Sequence, residues 1–500
     1  MVEILSVLPL AFWAVIALLG SGSYFAARQV RQGLGIPMLA LLATIAFWYV
    51  GDALYNDYTN NHMTKFTSAV LQKAWWQVAG FLAVFCAVTP FLHRMLNRQL
   101  FKHSSQALHL YKTGVEDPQF QRALSNLFIA AAVVWACLLA FATIRFRGRY
   151  FDYLFPYLGE HPGPWVASAL ASGVGDSLLA LAGNLQLMVG CLFGVVLALS
   201  TKVVIRSIAL VGVFLTWPFF IFAITRNQML IPILAGALSW VFLRLRYVMF
   251  VKVVILACLF ALINAWFGFV IANRSKGTTT SAMAEVGFKF SEGSGQEHEG
   301  LNMFEELCWI DSFMEAGSIN PRWGADYFAE FANPIPRFLW AGKPTIGLDY
   351  AKARGGGGAD NEIGVSVTIS DGMIGQGVMN FGYYIGPPVA AVLMGLWACW
   401  LARIDLLGKR IGYFPLYGLG LTLTFVMGRD VGPLALYPFL FGFGICWWLN
   451  RGDENRNRER RPNPNSKRRP DRRGRHNTPS IGSQDVKGAT PSASPSQADV

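Results

Sequence analysis

The residues best suited to chemistry are arginines and lysines placed where an apolar chain rarely puts them. Arg226 falls in TRNQ, a turn of a few residues between two apolar runs, and Arg429, followed by Asp430, interrupts LTLTFVMGRDVGPLALYPF in the same manner. Arg337 and Lys343 lie in NPIPRFLWAGKP, whose three prolines fix φ and hold the two cations on a stiff path. Trp340 sits between them, suited to stacking on a sugar ring or anchoring at an interface. Arg322 and Arg354 belong to the same region, and the run Gly355 to Gly358 gives it a segment free to open and close. No GK[ST] follows that run, so it is no nucleotide loop. A guanidinium stays charged at any working pH, and its planar fork matches phosphate oxygens. One arginine at a span end can snorkel for structural reasons alone. Several crowded on one face point instead to binding a lipid-linked phosphate or pyrophosphate, with the Gly- and Asn-rich VMNFGYYIG (Asn380) beside it suited to carbohydrate.

Other chemistries find less support. His62, His161 and His298 are isolated in sequence. Six of the seven cysteines (Cys86, Cys137, Cys191, Cys258, Cys399 and Cys446) fall in apolar runs, Cys308 falls in a polar loop, and no CxxC pair occurs. Neither a metal site nor a disulfide framework is expected, and no cofactor. The run LNMFEELCWIDSFMEAGS reads as an amphipathic helix with Leu301, Phe304, Leu307, Cys308, Ile310 and Met314 near one face, lying on the outer membrane surface. Glu305, Glu306, Asp311 and Glu315 then form a solvated acidic face, or less plainly a catalytic one.

The elements that must position these residues are membrane spans. Of 500 residues 53% are hydrophobic and only 14% charged, and mean hydropathy is +0.38. A soluble protein carries about 25% charged residues. Soluble enzymes, disordered proteins and disulfide scaffolds are excluded. The fold expected is an all-α polytopic membrane protein with about eleven transmembrane helices, near 4–25, 35–54, 74–92, 124–144, 183–200, 203–224, 228–243, 250–272, 378–402, 411–428 and 431–449. The N-terminal run lacks a basic region and reads as a first span rather than a cleaved signal. A twelfth candidate, 164–182, carries Asp176 and is a span, a re-entrant segment or an interfacial helix.

The chain divides into an N-terminal helix bundle (1–272), one large external loop (273–377), C-terminal helices (378–450) and a disordered basic tail (451–500). From Arg451 onward, twelve Lys and Arg face six Asp and Glu, which makes the tail cytoplasmic by the positive-inside trend. A tail of this kind could bind anionic lipid or RNA, but the plainer expectation is an anchor, with no nucleic acid as partner. Counting back from it puts Arg403, Lys409, Arg410, Arg244, Arg246, Lys252, Lys202 and Arg206 inside and the loop 273–377 outside. If 164–182 does not cross, Arg28, Arg31, Arg94, Arg98, Lys102, Lys112 and Arg122 are inside as well, against Lys65, Arg145, Arg147 and Arg149 outside. No internal repeat or inverted symmetry is evident, which counts against a secondary transporter.

An arginine in a short outward turn (TRNQ), a long external loop with NPIPRFLWAGKP, the stretch ISDGMIGQGVMNFGYYIG entering the next span, and the late RD turn together resemble the bacterial O-antigen polymerases (Wzy-type). These polymerise oligosaccharide repeat units. The resemblance covers about 200 to 430, with PR-x₅-KP and then NFG its most specific part; the first 160 residues and the tail are outside it. It implies a GT-C-like fold in the bacterial inner membrane, acting at the outer face on repeat units carried by undecaprenyl pyrophosphate, without nucleotide sugar or metal. The lipid bilayer, a chain-length regulator and a flippase would be its partners. Arg226 and Arg337 match the family's arginines and would stabilise the leaving pyrophosphate, followed by Lys343 and Arg429. Asp371, in TISDGMIG, is the candidate general base, with Glu306 and Asp430 behind it, although an activated leaving group needs little base assistance. Arg322, Trp340, Arg354 and Asn380 are the further candidates for substrate contact. A related O-antigen ligase would need a histidine base, for which His298 lies in a loose stretch. A flippase would need charges along many spans, which are nearly absent here, and a purely structural membrane protein leaves the outward arginines unexplained.

Overall fold

A computed structural model describes residues 8–30, 33–55, 65–96, 115–145, 147–148, 150–155, 174–222, 226–245, parts of 251–266, 303–332, 335, 339–340, 342, 350, 353, 370–404, 413–429, 431–432, 436–444 and 446–447. The described residues are mostly helical and contain no strand. In chain order the helices are α1 (Leu10–Arg28), α2 (Gly35–Ile45, continued by a π-turn Ala46–Gly51 and a last turn Asp52–Tyr55), α3 (Ser68–Leu96), α4 (Pro118–Arg145), α5 (Tyr150–Leu154), α6 (Val174–Leu199), α7 (Val203–Phe222), α8 (Arg226–Ser239), α9 (Met303–Glu315), α10 (Ala325–Ala332), α11 (Met373–Ala402) and α12 (Phe414–Met427). A helical stretch 436–444 follows. Seven helices, α1 to α4, α6, α7 and α11, are long and apolar enough to cross a membrane. The second half of 164–182 is no separate element: it opens α6, which runs unbroken through the span expected at 183–200. The tail, the first part of the loop 273–377, and the cations Lys102, Lys112 and Arg149 lie outside the described residues.

The spans share one basic end. The turn at Gly33 meets the carbonyl of Ala402, and Cys399 Sγ approaches the carbonyl of Thr89, so Arg28, Arg94 and Arg403 come to the same level. Gln121 Nε2 donates to the carbonyl of Leu199, and Arg244 Nη1 donates to those of Ala198 and Ser200, which gathers Arg122, Lys202 and Arg244 at a common end. Ser239 beside Gly418, and Gly420 beside Leu401, tie that end to the first.

Close packing of these spans rests on glycines. Gly194 and Gly236 let α6 and α8 meet backbone to backbone, with a Cβ on Gly236 only 3.2 Å from Gly194. Aromatic rings fill the remaining space, as where Trp397 and Trp400 both set their rings edge-on against Phe439.

The helix α11 is broken. Gly382 has φ 77° and ψ 178°, far from helical values, and separates an arm, 373–381, from the spanning part, 383–402. The arm folds back: a Cβ on Gly377 would lie 2.5 Å from the Gly386 carbonyl oxygen, and one on Gly386 would lie 2.4 Å from that of Gly377. In a straight helix those residues would stand about 13 Å apart. The arm thus re-enters the bundle, descending from the break, about 30 Å above Ala402, to Met373 near half that height. This helix begins before the expected span start at 378, and its first third is not a crossing.

The predicted amphipathic helix forms as α9, but not as a surface helix. Met303 to Cys308, Ile310 and Asp311 are all buried, acidic residues included. The helix lies in the end of the bundle remote from the basic end, wedged between α2, α3 and α11, with Phe304 stacked on Trp75 at 4.0 Å and Ile310 against Gly375. The solvated acidic face is therefore corrected: three of its four carboxylates are inside.

Candidate functional site

Three polar side chains hold α9, the re-entrant arm and α10 by their N-termini, where backbone N–H groups have no intrahelical acceptor. Asp52, 0% exposed, accepts from the N–H groups of Phe304 and Glu305 at 2.8 and 3.0 Å, capping α9 from α2. One turn earlier, the Tyr49 hydroxyl accepts from the N–H of Ile374 at 3.0 Å and caps the re-entrant arm. Asn380, also 0% exposed, accepts from the N–H of Asp326 at 3.1 Å and caps α10, while its amide nitrogen donates to the carbonyl of Gln376. Two of these caps come from α2 and the third from the re-entrant arm, so α9 and α10 cannot shift without breaking bonds to α2 and α11.

A polar ladder joins α9 to α3. Lys73 Nζ pairs with Glu315 at 2.8 Å and stands 3.1 Å from the centroid of the Tyr383 ring. One turn along both helices, Gln77 Nε2 donates to Asp311 Oδ1 at 2.9 Å. Gln77 Oε1 and Asp311 Oδ2, both fully buried, find no hydrogen-bond partner among the described residues. Burial pushes the Asp311 carboxyl up to about 7; the Gln77 bond and Lys73 oppose the rise and Glu315 adds to it. A proton on Oδ2 gives this atom a donor for Oε1, which closes an acid–amide pair.

The arm's start meets the turn after α12. The N–H of Gly372 donates to the carbonyl of Arg429 at 2.9 Å, that of Met373 donates to the carbonyl of Gly428, and Arg429 Nε donates to Ser370 Oγ at 2.7 Å. Asp371, 8% exposed, stands between these bonds. Gly372 has φ 72°, and a Cβ there would press on the Tyr49 hydroxyl at 2.6 Å, so glycine is required twice over. Trp397 Nε1 donates to Thr424 Oγ1, which sets α12 at the level of residue 397. Counting from there, Arg429 comes about 15 Å above the basic end, near the middle of a ~30 Å hydrocarbon layer. A guanidinium and a carboxylate at that depth are held by irregular backbone, which is tolerated within a membrane only inside protein or beside a cavity. The Tyr327 phenol is raised by burial, with the charges of Asp371 and Asp326 adding to it.

Of the residues singled out in the sequence, Arg429 and Asp371 are thus brought together. Arg322 forms an ion pair with Asp326 at 2.9 Å, and its backbone N–H donates to the carbonyl of Met379. Glu306, 1% exposed, accepts from the Tyr350 hydroxyl. Arg322, Glu306 and Asn380 all have positional roles in the fold. Trp340 lies edge-on to Phe328. Arg226 opens α8, with its side chain outside the described residues, as are Arg337, Lys343, Arg354 and Asp430. Sequence reasoning missed Tyr49, Asp52, Lys73 and Gln77. The signal available was polar residues in apolar runs, with Lys73 and Gln77 at helical spacing matching Asp311 and Glu315.

No protein-family model, curated protein or solved structure matches the chain.

Proposed function

We propose that the chain is a membrane glycosyltransferase that polymerises oligosaccharide repeat units carried on undecaprenyl pyrophosphate, in the manner of the O-antigen polymerases its motifs resemble. In this reading it crosses the bacterial inner membrane eleven times in a GT-C-like arrangement, with the tail in the cytoplasm. The loop faces the exterior. The observation that carries the reading is the meeting of Arg429, Ser370 and Asp371 at membrane depth under the external loop.

A hydroxyl of one unit attacks the anomeric carbon of the other chain. The bond from that carbon to the pyrophosphate oxygen breaks, and its electron pair leaves with the pyrophosphate. Arg429 offsets the growing charge, its guanidinium plane fixed by Ser370. Asp371 takes the proton of the attacking hydroxyl. Arg226, Arg337 and Lys343 complete the cationic surface in this proposal, and Trp340 and Arg354 border the sugar.

The test uses purified protein in liposomes with the host's lipid-linked repeat unit, resolved by size on a gel. A ladder spaced by one unit, formed without added nucleotide, is expected. Arg429→Ala should lower polymer at least ~100-fold with the size-exclusion profile unchanged, and Ser370→Ala by only a few-fold. A single transfer to an added acceptor would make the protein a ligase. Movement of an intact unit across the bilayer would end the enzyme reading, and full activity in Arg429→Ala would remove this site.

A further inference from the structure

The helix α10 has two unlike faces. Asp326, Ala329, Glu330 and Ala332 are buried, while Phe328 and Phe331 are 56% and 67% exposed. Trp323 before it is 76% exposed, and Leu339 after it 68%. Between Trp323 and Ala332 the charged residues are Asp326 and Glu330, and both point inward. What faces out is therefore an uncharged aromatic strip, an arrangement that water does not favour.

Its height is fixed by the break in α11. The N–H groups of Arg322 and Trp323 donate to the carbonyls of Met379 and Asn380 at 3.0 and 2.7 Å. Gly324, at φ 85°, packs on Phe381, and Tyr327 stacks on the same ring at 6.2 Å. Trp323 itself is held at φ 52°, a left-handed conformation that a large side chain seldom adopts. The segment is thus clamped to the top of the spanning part of α11, about 30 Å from its basic end, the thickness of a hydrocarbon core. The same break exposes Tyr384 at 89% and Ile385 at 55%, so the strip continues the apolar flank of a span.

We propose that α10, together with Trp323 before it and Leu339 after it, is an in-plane membrane anchor. In it Trp323, Phe328, Phe331 and Leu339 enter the boundary between headgroups and acyl chains of the leaflet at the loop end. Aromatic side chains favour that boundary. The proposal rests on the spans and not on the glycosyltransferase reading. It moves the interfacial role expected of α9 to the next helix.

The test places a spin label at Phe331→Cys and, separately, at Leu339→Cys in the full chain, with the exposed Cys137 and Cys258 replaced by serine. The protein is reconstituted in vesicles of phosphatidylethanolamine and phosphatidylglycerol, with exposed Glu116→Cys as the aqueous reference. The expected result is an oxygen collision rate several-fold above that of a water-soluble nickel chelate at both sites, reversed at the reference. Nickel access at 331 and 339 equal to the reference would overturn the anchor, as would access to neither probe, which would mean a protein covers the strip. Either site alone suffices if the other variant does not fold.

Discussion

Burial lifts the Asp311 carboxyl from its ordinary 3.8 to about 7, so the folded chain binds this proton more tightly than the unfolded one. The stabilisation is complete below about pH 4 and is lost as pH rises through about 7, on the order of a few kcal/mol at most. The thermal midpoint of the full-length protein should therefore fall between about pH 5 and about pH 8. Asp311→Asn should flatten that slope, because an amide N–H takes the place of the acid O–H facing Gln77 Oε1. An unchanged slope in the variant would assign the dependence elsewhere. Asp311→Ala, which leaves Gln77 buried with nothing to bond, should cost about 1–3 kcal/mol at every pH.

At the scale of the element, the re-entrant arm depends on two backbones touching at Gly377 and Gly386. Gly377→Ala puts a methyl group 2.5 Å from a carbonyl oxygen that cannot yield, at an expected cost of about 1–3 kcal/mol or more. Gly80→Ala, where nothing lies within 4 Å, should be neutral or slightly stabilising. Equal melting of both variants would show that the arm does not pack as described. The seven long apolar helices were legible in the sequence, because a run of apolar residues matches the bilayer's thickness whatever its neighbours are. The arm was not, since 373–402 reads as one apolar run and only Gly382 marks the break, among many glycines. The helix 303–315 was legible too, but not its burial: periodicity shows one apolar face and cannot show that Asp52, Gln77 and Lys73 wait for the other. Within the site, Arg429 and Asp371 could be suspected from their types, but their meeting is a long-range contact that no local spacing encodes.

For the whole molecule, the distribution of charge divides the two ends. Arg28, Arg94, Arg122, Lys202, Arg244 and Arg403 share one, and Lys73, Arg145 and Arg147 lie towards the other. With the proposed orientation, a cysteine replacing Arg403 in intact cells should resist an impermeant maleimide, while one replacing Arg147 should react. The reverse pattern would invert the molecule and place the loop in the cytoplasm.

The caps described on α2 also set a timetable for biosynthesis. Asp52 waits 252 residues for Phe304, Tyr49 waits 325 for Ile374, and Trp48, whose indole N–H donates to the carbonyl of Phe425, waits 377. At ~5–20 residues per second, the second span stands in the membrane for tens of seconds before any of these partners exists. Throughout that interval its π-turn presents a phenol and an indole, and the turn after it a carboxylate, to lipid or to the insertion machinery. The nascent protein is thus most exposed to recognition, and to destruction, while its first half is already threaded and its second is still on the ribosome.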